Sequence, residues 1–345
     1  MKIIIDAMGG DHAPNDIVRG AIDASREFGV DMILVGHGET ILRCLNDIGL
    51  DNLPKGIEVA NADDVVSMED DPTTVMREHR NSSMVVGLKM LADGSGDAFI
   101  SAGSTGALLT AATLTVKRIR GVRRAALGPV LPTKGGSMVL IDCGANVECT
   151  PEFMLQFGFM GSVYAQKFLG IENPRVALLS NGTEACKGTP LVREAYQLLT
   201  RADEAGLIRF VGNIEGRDAM LGGADVVVAD GFSGNVFLKT VEGTALFIMS
   251  LLKRSFAKTL LTKIGYMLTK GGIRELKALM DYRETGGTAL IGLTKPVIKA
   301  HGSSDARAIR SAVRQAIQSV ERGADQAIAA RIGELAELKE QSHAE

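Results

Sequence analysis

Short apolar runs recur along the chain at residues 2–6, 31–36, 57–60, 97–101, 138–142, 175–180, 208–212 and 225–230. Several of them, IIID, MILVG, VALLS and VVVA, are apolar without interruption. An alternating strand has one wet face, whereas an uninterrupted run must be covered on both, as a parallel strand between helical layers is. Helical patterns separate most of the runs, and this βα rhythm predicts a three-layer α/β/α fold with a mainly parallel sheet. Asn15 is placed to cap a first helix that stops at Gly29, and Thr189 with Pro190 to open another. A last helical segment runs from Asp305 to about Leu338, capped by Ser303 or Ser304, with an apolar stripe through Ile309, Val313, Ile317 and Val320. The tail 341–345 is expected to be disordered. The 345 residues, 46% hydrophobic and 23% charged, suffice for a large core. No low-complexity linker divides them, so the chain reads as one domain over residues 1–340.

The chemistry-bearing residues collect where such folds bind ligands, beyond the carboxyl ends of strands. Residues 6–12 read DAMGGDH, 101–106 SAGSTG, 142–146 DCGAN, 180–188 SNGTEACKG and 230–235 DGFSGN. Five glycine-containing polar loops at equivalent strand ends predict a shared site for an anionic ligand. The second loop opens a helix, so its N–H groups, the helix dipole and the hydroxyls of Ser101, Ser104 and Thr105 converge on one spot. Taken alone, that turn is equally a plain βα connection with N-cap residues.

Other classes are disfavoured. A net charge of −3 gives no reason to expect a nucleic-acid partner. Cys44, Cys143, Cys149 and Cys186 form no C-x-x-C pair and no disulfide framework, which points to a reduced cytoplasm. The apolar run before Asp6 is too short for a signal-peptide core, and 243–252 is too short to span a bilayer. No complete G-x-G-x-x-G follows a strand, and no P-loop, G-x-S-x-G elbow or H-E-x-x-H is present. Neither metal nor cofactor is expected. His301, in HGSSD, is a candidate for proton transfer or for helix capping. The run 117–124, with five cations in eight residues, is a solvated face or a docking patch for an acidic partner.

Residues 241–283 break the rhythm. They read as two helices interrupted at Gly271 and Gly272, with large apolar groups that include Leu252, Phe256, Leu260, Leu261 and Ile264. Lys253, Arg254, Lys258, Lys263 and Lys270 interleave with no acid between them. That composition suits an anionic membrane surface, or burial against a second subunit.

Taken in order, DAMGGDHAP, SAGSTGA, DCGANV, NGTEACKG, DGFSGNVFLK and HGSSD resemble the bacterial phosphate acyltransferases of phospholipid synthesis. The likeness runs from Met1 to roughly Ile332. It implies a fold similar to phosphotransacetylases and isocitrate dehydrogenases, a homodimer, and cytoplasmic attachment to the inner face of the membrane through a helical insertion at about 243–283. It implies a fatty acyl group passing from acyl carrier protein to inorganic phosphate, for a downstream glycerol-3-phosphate acyltransferase. Lys187, Asn235 and His301 are then the catalytic candidates, with Asp6, Gly9, Gly10, Asp11, Ser101, Gly103, Ser104, Thr105, Asn146, Glu184, Ser233 and Gly234 around the substrates. Ser104 and Ala185 depart from the family pattern, where Asn and a second acid are common. A phosphotransacylase acting on coenzyme A thioesters, a dehydrogenase of related fold and a non-catalytic membrane scaffold are the competing readings.

Overall fold

The computed structural model of the chain describes residues 1–280 and 286–335. The first half contains β1 (Lys2–Asp6), α1 (Asn15–Phe28), β2 (Asp31–Gly36), α2 (Gly38–Asp47), β3 (Ile57–Asn61), α3 (Val75–Glu78), α4 (Ser83–Ala92), β4 (Ala98–Ser101) and α5 (Thr105–Thr115). Next come β5 (Ala126–Gly128), β6 (Val130–Thr133), β7 (Gly136–Ile141), α6 (Pro151–Tyr164), β8 (Arg175–Leu179), α7 (Pro190–Glu204), β9 (Arg209–Ile214), α8 (Gly216–Met220) and β10 (Val226–Val228). The chain continues with α9 (Gly231–Ala257), α10 (Leu260–Met280), β11 (Thr288–Ile291), β12 (Val297–Lys299), α11 (Ala306–Arg322) and α12 (Ala324–Arg331).

The described strands form two sheets, ordered β3-β2-β1-β4-β12-β11-β5 and β6-β7-β10-β8-β9. Pairing is parallel except at β11, which runs against β12 and β5, and at β6, which runs against β7. The chain crosses from one sheet to the other at Pro129, between β5 and β6, and Leu140 N–H donates to its carbonyl at 3.1 Å. Successive strand residues face opposite sides. Ile3, Ile5, Ile100, Ile141, Val176 and Val228 pack with α1, α2, α6, α7, α11 and α12, whereas Ile4, Phe99, Leu140, Ala177 and Val227 pack with α4, α5, α8 and the start of α9. Each cluster draws on both sheets, so one continuous core lies on either side of them. This is the expected mainly parallel α/β/α arrangement, divided into two sheets.

Several local expectations change. Four strands were not foreseen, β5, β6, β11 and β12; each is three or four residues long and flanked by Gly or Pro, too short to show a period. Asn15 does not cap α1; its Oδ1 accepts from the Cys44 thiol at 2.8 Å. Asp305, not Ser303 or Ser304, caps α11, accepting from Ala308 N–H at 2.9 Å, because a carboxylate complements the helix dipole as well as the N–H. The last helical segment is two helices, broken at Gly323 in the left-handed region (φ 59°). Thr189 does cap α7, accepting from Val192 N–H at 3.3 Å. The end of the last helical segment, beyond residue 335, and the tail 341–345 lie outside the described residues.

The helical insertion differs most. Asp230 starts α9 ten residues earlier than expected, accepting from the N–H groups of Phe232 and Ser233. Gly271 and Gly272 lie inside α10 and the break falls at Lys258–Thr259 instead. Thr259 Oγ1 accepts from Thr262 N–H at 3.2 Å while Thr259 N–H donates to Thr262 Oγ1 at 3.0 Å, a reciprocal cap that terminal groups favour over an interior glycine pair. The two helices make a hairpin, Phe256 against Tyr266, and expose Leu260 (76%) and Leu261 (81%) at its tip. At 27 residues α9 is long and apolar enough to cross a membrane, yet its first turns are part of the site described next.

Candidate active site

The carboxyl ends of both sheets meet at one cleft of about 430 Å³. One side is formed by the loops after β1, β4 and β12, with Asp11, Thr105, Lys299, His301 and Ser304. The other is formed by the loop after β7 and the first turns of α9, with Cys143, Gly144, Asn235, Leu238, Lys239 and Glu242. The crossing segment supplies an apolar wall, Leu127, Pro129, Val130 and Leu131.

Backbone approach, braced by buried carboxylates, sets this geometry. Asp6, 1% exposed at the end of β1, accepts from Ser83 Oγ at 2.6 Å, Ser101 Oγ at 2.7 Å and Met8 N–H at 3.2 Å. Ser101 Oγ in turn accepts from Gly103 N–H at 3.0 Å, so one carboxylate holds both the β1 loop and the β4 turn. Burial pushes Asp6 above the usual carboxylate range, and these donors offset part of that. A Cβ on Gly9 would stand 2.5 Å from Asp6 Oδ2, and one on Gly10 2.9 Å from Ala102 and 3.0 Å from the Gly302 carbonyl. The loops after β1, β4 and β12 therefore touch through these glycines, and Asp11 N–H donates to Gly302 O at 2.8 Å.

On the other side Asp142 accepts from the N–H groups of Leu127, Cys143, Ala145 and Asn146 and from Asn146 Nδ2. Asn146 also donates to Ala125 O at 2.9 Å. Helix α9 docks on this loop so closely that a Cβ on Gly234 would lie 1.9 Å from Asp142 O. That contact delivers Asn235, whose Nδ2 donates to Cys143 O at 3.1 Å. Ser233 donates to Asp230 at 2.8 Å, within the cap.

The sequence-derived candidates thus separate into three groups. Asp11, Thr105, Asn235 and His301 line the cleft. Asp6, Gly9, Gly10, Ser101, Gly103, Asn146 and Gly234 shape its loops, and Ser104 is the buried N-cap position of α5. Lys187 and Glu184 stand exposed on the loop after β8, outside the cleft, with Lys187 N–H bonded to Glu184 O at 3.0 Å. In strand order β8 is two places from β7, so roughly 10 Å of sheet separates their ends. The cationic run 117–124 follows the far end of α5, about 16 Å of helix from Thr105.

The cleft also contains residues the sequence did not single out. Lys299, 9% exposed at the end of β12, lies in register with Ser101. Burial first, and then Lys239, bring its ammonium down to about 8, against the opposing pull of Asp11 and Asp6. Lys239 pairs with Glu242 at 2.7 Å. His301 stands at the mouth with Nδ1 2.9 Å from Ser303 Oγ, and desolvation followed by Lys239 pushes it below the ordinary imidazole value, so the ring is neutral at pH 7. Burial and then Asp142 hold the Cys143 thiol well above its ordinary range, which leaves it a thiol and a poor nucleophile. Among the described residues no group of three His, Cys, Asp or Glu is arranged to hold a metal ion.

A family model described as "Fatty acid synthesis protein" matches residues 1–327. A curated phosphate acyltransferase of Alkaliphilus oremlandii is 49% identical over 319 residues, covering 92% of this chain and 93% of its own, and one of Bacillus licheniformis is 45% identical, covering 93% and 94%. The chain belongs to the phosphate acyltransferase family. It is an acyltransferase, and the reaction of the family is acyl transfer to phosphate. Solved structures agree on the fold. A phosphotransacetylase from Streptococcus pyogenes matches with a TM-score of 0.60 at 18% identity, covering 95% of this chain and 94% of that one. A branched-chain phosphotransacylase from Enterococcus faecalis matches with 0.55 at 15%, covering 93% and 100%. Among phosphate acyltransferases, then, this chain sets its polar loops around a cleft with a cationic end and an apolar wall.

Proposed function

We propose that this acyltransferase moves a fatty acyl group from acyl carrier protein to inorganic phosphate, giving acyl phosphate for phospholipid synthesis. The observation that carries the reading is the cleft's division: the buried ammonium of Lys299 and the neighbouring α5 N-terminus at one end, the Leu127–Leu131 wall at the other. An anion and an acyl thioester need such a pair of environments side by side. Phosphate is already a nucleophile, so the protein's task is to hold it against the thioester carbonyl and to stabilise the oxyanion. An oxygen of hydrogen phosphate attacks the carbonyl carbon, the C–O bond forms, the C–S bond breaks, and the leaving thiolate takes the proton that the phosphate gives up. Asn235 uses one N–H on Cys143 O and has a second for the oxyanion. Neutral His301 serves as a hydrogen-bond partner at the mouth. Lys187, outside the cleft, acts on the approaching donor.

The α9–α10 hairpin supports the remaining parts of the proposal. Exposed Leu260 and Leu261 would enter the inner face of the cytoplasmic membrane, with Lys253, Arg254, Lys258 and Lys263 against anionic headgroups. The exposed flank bearing Leu246, Phe247, Met267 and Leu268 would be covered by a second copy in a homodimer. A membrane-bound glycerol-3-phosphate acyltransferase would receive the product there.

The test is trapping with hydroxylamine. Palmitoyl carrier protein and phosphate should yield palmitoyl hydroxamate well above the direct reaction of hydroxylamine with the thioester, and omission of phosphate should return it to that background. Phosphate-dependent product from palmitoyl coenzyme A alone would move the donor to the rival reading; no phosphate-dependent product from either thioester would defeat the proposal.

A further inference from the structure

Lys299 is placed where folding alone gives little reason for a lysine. It ends a three-residue strand whose other members, Val297 and Ile298, are fully buried, and 91% of its own surface is covered. No carboxylate of the described residues lies within ion-pair distance. Of the two acids whose charges act on it, Asp6 binds two hydroxyls and Asp11 stands exposed at the rim, while Glu242 of the same cleft pairs with Lys239. Its Nζ meets two backbone carbonyls, Ala300 O and, at 3.4 Å, Ala102 O. An ammonium has three donors, and these contacts account for two. Isolated burial of a cation is costly, and a methionine would fill the same space.

A second group in the same cleft is also unsatisfied. Ser304, 1% exposed, has a hydroxyl with no hydrogen-bond partner among the described residues. Buried hydroxyls are almost always bonded, so an orphan lining a cleft marks a place for a polar ligand. Thr105, at the start of the eleven-residue helix α5, lines the cleft with them, and the capping position Ser104 makes no side-chain bond to the first N–H groups. An ammonium, a hydroxyl and a helix N-terminus around one volume match the donor pattern that a phosphate dianion requires.

We propose that Lys299 and Ser304, with the N-terminus of α5, form the subsite that holds the phosphate nucleophile. The substrate anion is the counter-charge that Lys299 lacks within the protein. This rests on the acyl-transfer reading above and assigns its acceptor subsite to residues outside the six family motifs in one case and to a supposed helix cap in the other. Lys299 holding an ammonium at neutral pH fits the same role, since a bound phosphate offsets the cost that burial sets on that charge.

The experiment is steady-state kinetics with phosphate varied at saturating palmitoyl carrier protein. Lys299→Met should raise the phosphate KM roughly 100-fold, as loss of a charge-assisted contact does, and leave the thioester KM within about twofold. Ser304→Ala removes an orphan hydroxyl, so the variant folds normally, and its phosphate KM should rise about 5-fold. Unchanged phosphate KM in both variants would overturn the subsite. A wild-type protein that makes no acyl phosphate would defeat the acyl-transfer reading instead, and the two failures are distinguishable. Should Lys299→Met fail to fold, the wild type still decides the matter: cyanate carbamoylation of Lys299, followed by peptide mass spectrometry, should slow in phosphate and not in chloride of equal ionic strength. Equal rates in both salts would reject the proposal.

Discussion

An ammonium that burial has brought from 10.5 to about 8 makes folding depend on pH in a defined direction. Below pH 8 both folded and unfolded chains carry the charge, and the folded state bears the whole desolvation cost. Between pH 8 and 10.5 the unfolded chain binds more protons than the folded one, so this group makes stability rise with pH across that window. At about 1.36 kcal/mol per pKa unit the effect is roughly 3 kcal/mol at most. Lys299→Met removes it. Without phosphate, urea unfolding should show the variant more stable than the wild type at pH 7, and the gap should close as the pH is raised to 10. A gap constant with pH would mean that Lys299 is not desolvated in solution. The same residue shows where sequence reading stops. Thr105, Asn235, Asp11 and His301 sit in loops whose glycines and hydroxyls advertise them, whereas Lys299 ends the plain apolar run VIK. Asp6 and Asn146 present the opposite case, since a polar residue in a glycine loop looks the same in sequence whether it contacts substrate or braces the backbone. Only their hydrogen bonds to Ser83, Ser101, Asp142 and Ala125 separate the two uses.

Elements were legible in proportion to their length. The long parallel strands carry enough consecutive apolar residues to declare burial on both faces, and the helices between them carry caps and stop signals. β5, β6, β11 and β12 do not, because three or four residues show no period, and the pairing of β11 with β5 joins segments distant in sequence. The hairpin was visible as an amphipathic exception but its hinge was not, since a Thr-x-x-Thr cap competes with a glycine pair and local hydrogen bonds decide. The position of the hinge has a consequence. It puts Leu260 and Leu261 at the tip, exposed and remote from the cleft residues at the start of α9. Leu260→Glu combined with Leu261→Glu should therefore leave the melting temperature and the turnover of soluble acyl carrier protein nearly unchanged. Sedimentation with phosphatidylglycerol vesicles should fall at least tenfold, because two apolar anchors become charges repelled by the surface. Undiminished sedimentation would place membrane contact elsewhere on the molecule.

At the scale of the molecule, the candidate cleft exists because two sheets of one core present their carboxyl edges to each other across the Pro129 crossing. One edge brings the buried cation and the α5 N-terminus, the other brings Asn235, and neither alone lines the cleft. Sequence order listed the loops correctly but gave no distances between them, so Lys187 and Asn235 looked like neighbours. The structure spaces them along the second sheet in strand order β7, β10, β8, with Lys187 at the exposed end. Lys187 and Lys299 stand on different sheets, one outside the cleft and one within it, and groups that share no partner act on a reaction independently, so that their free energies add. Lys187→Ala should lower kcat/KM for the acyl donor by roughly 10-fold, as loss of an exposed steering charge does, and Lys299→Met should act through phosphate. The double variant should then lose the product of the two factors. If instead it is no worse than the poorer single variant, the two lysines work as one unit on the same phosphate, and the loop after β8 must close onto the cleft during turnover.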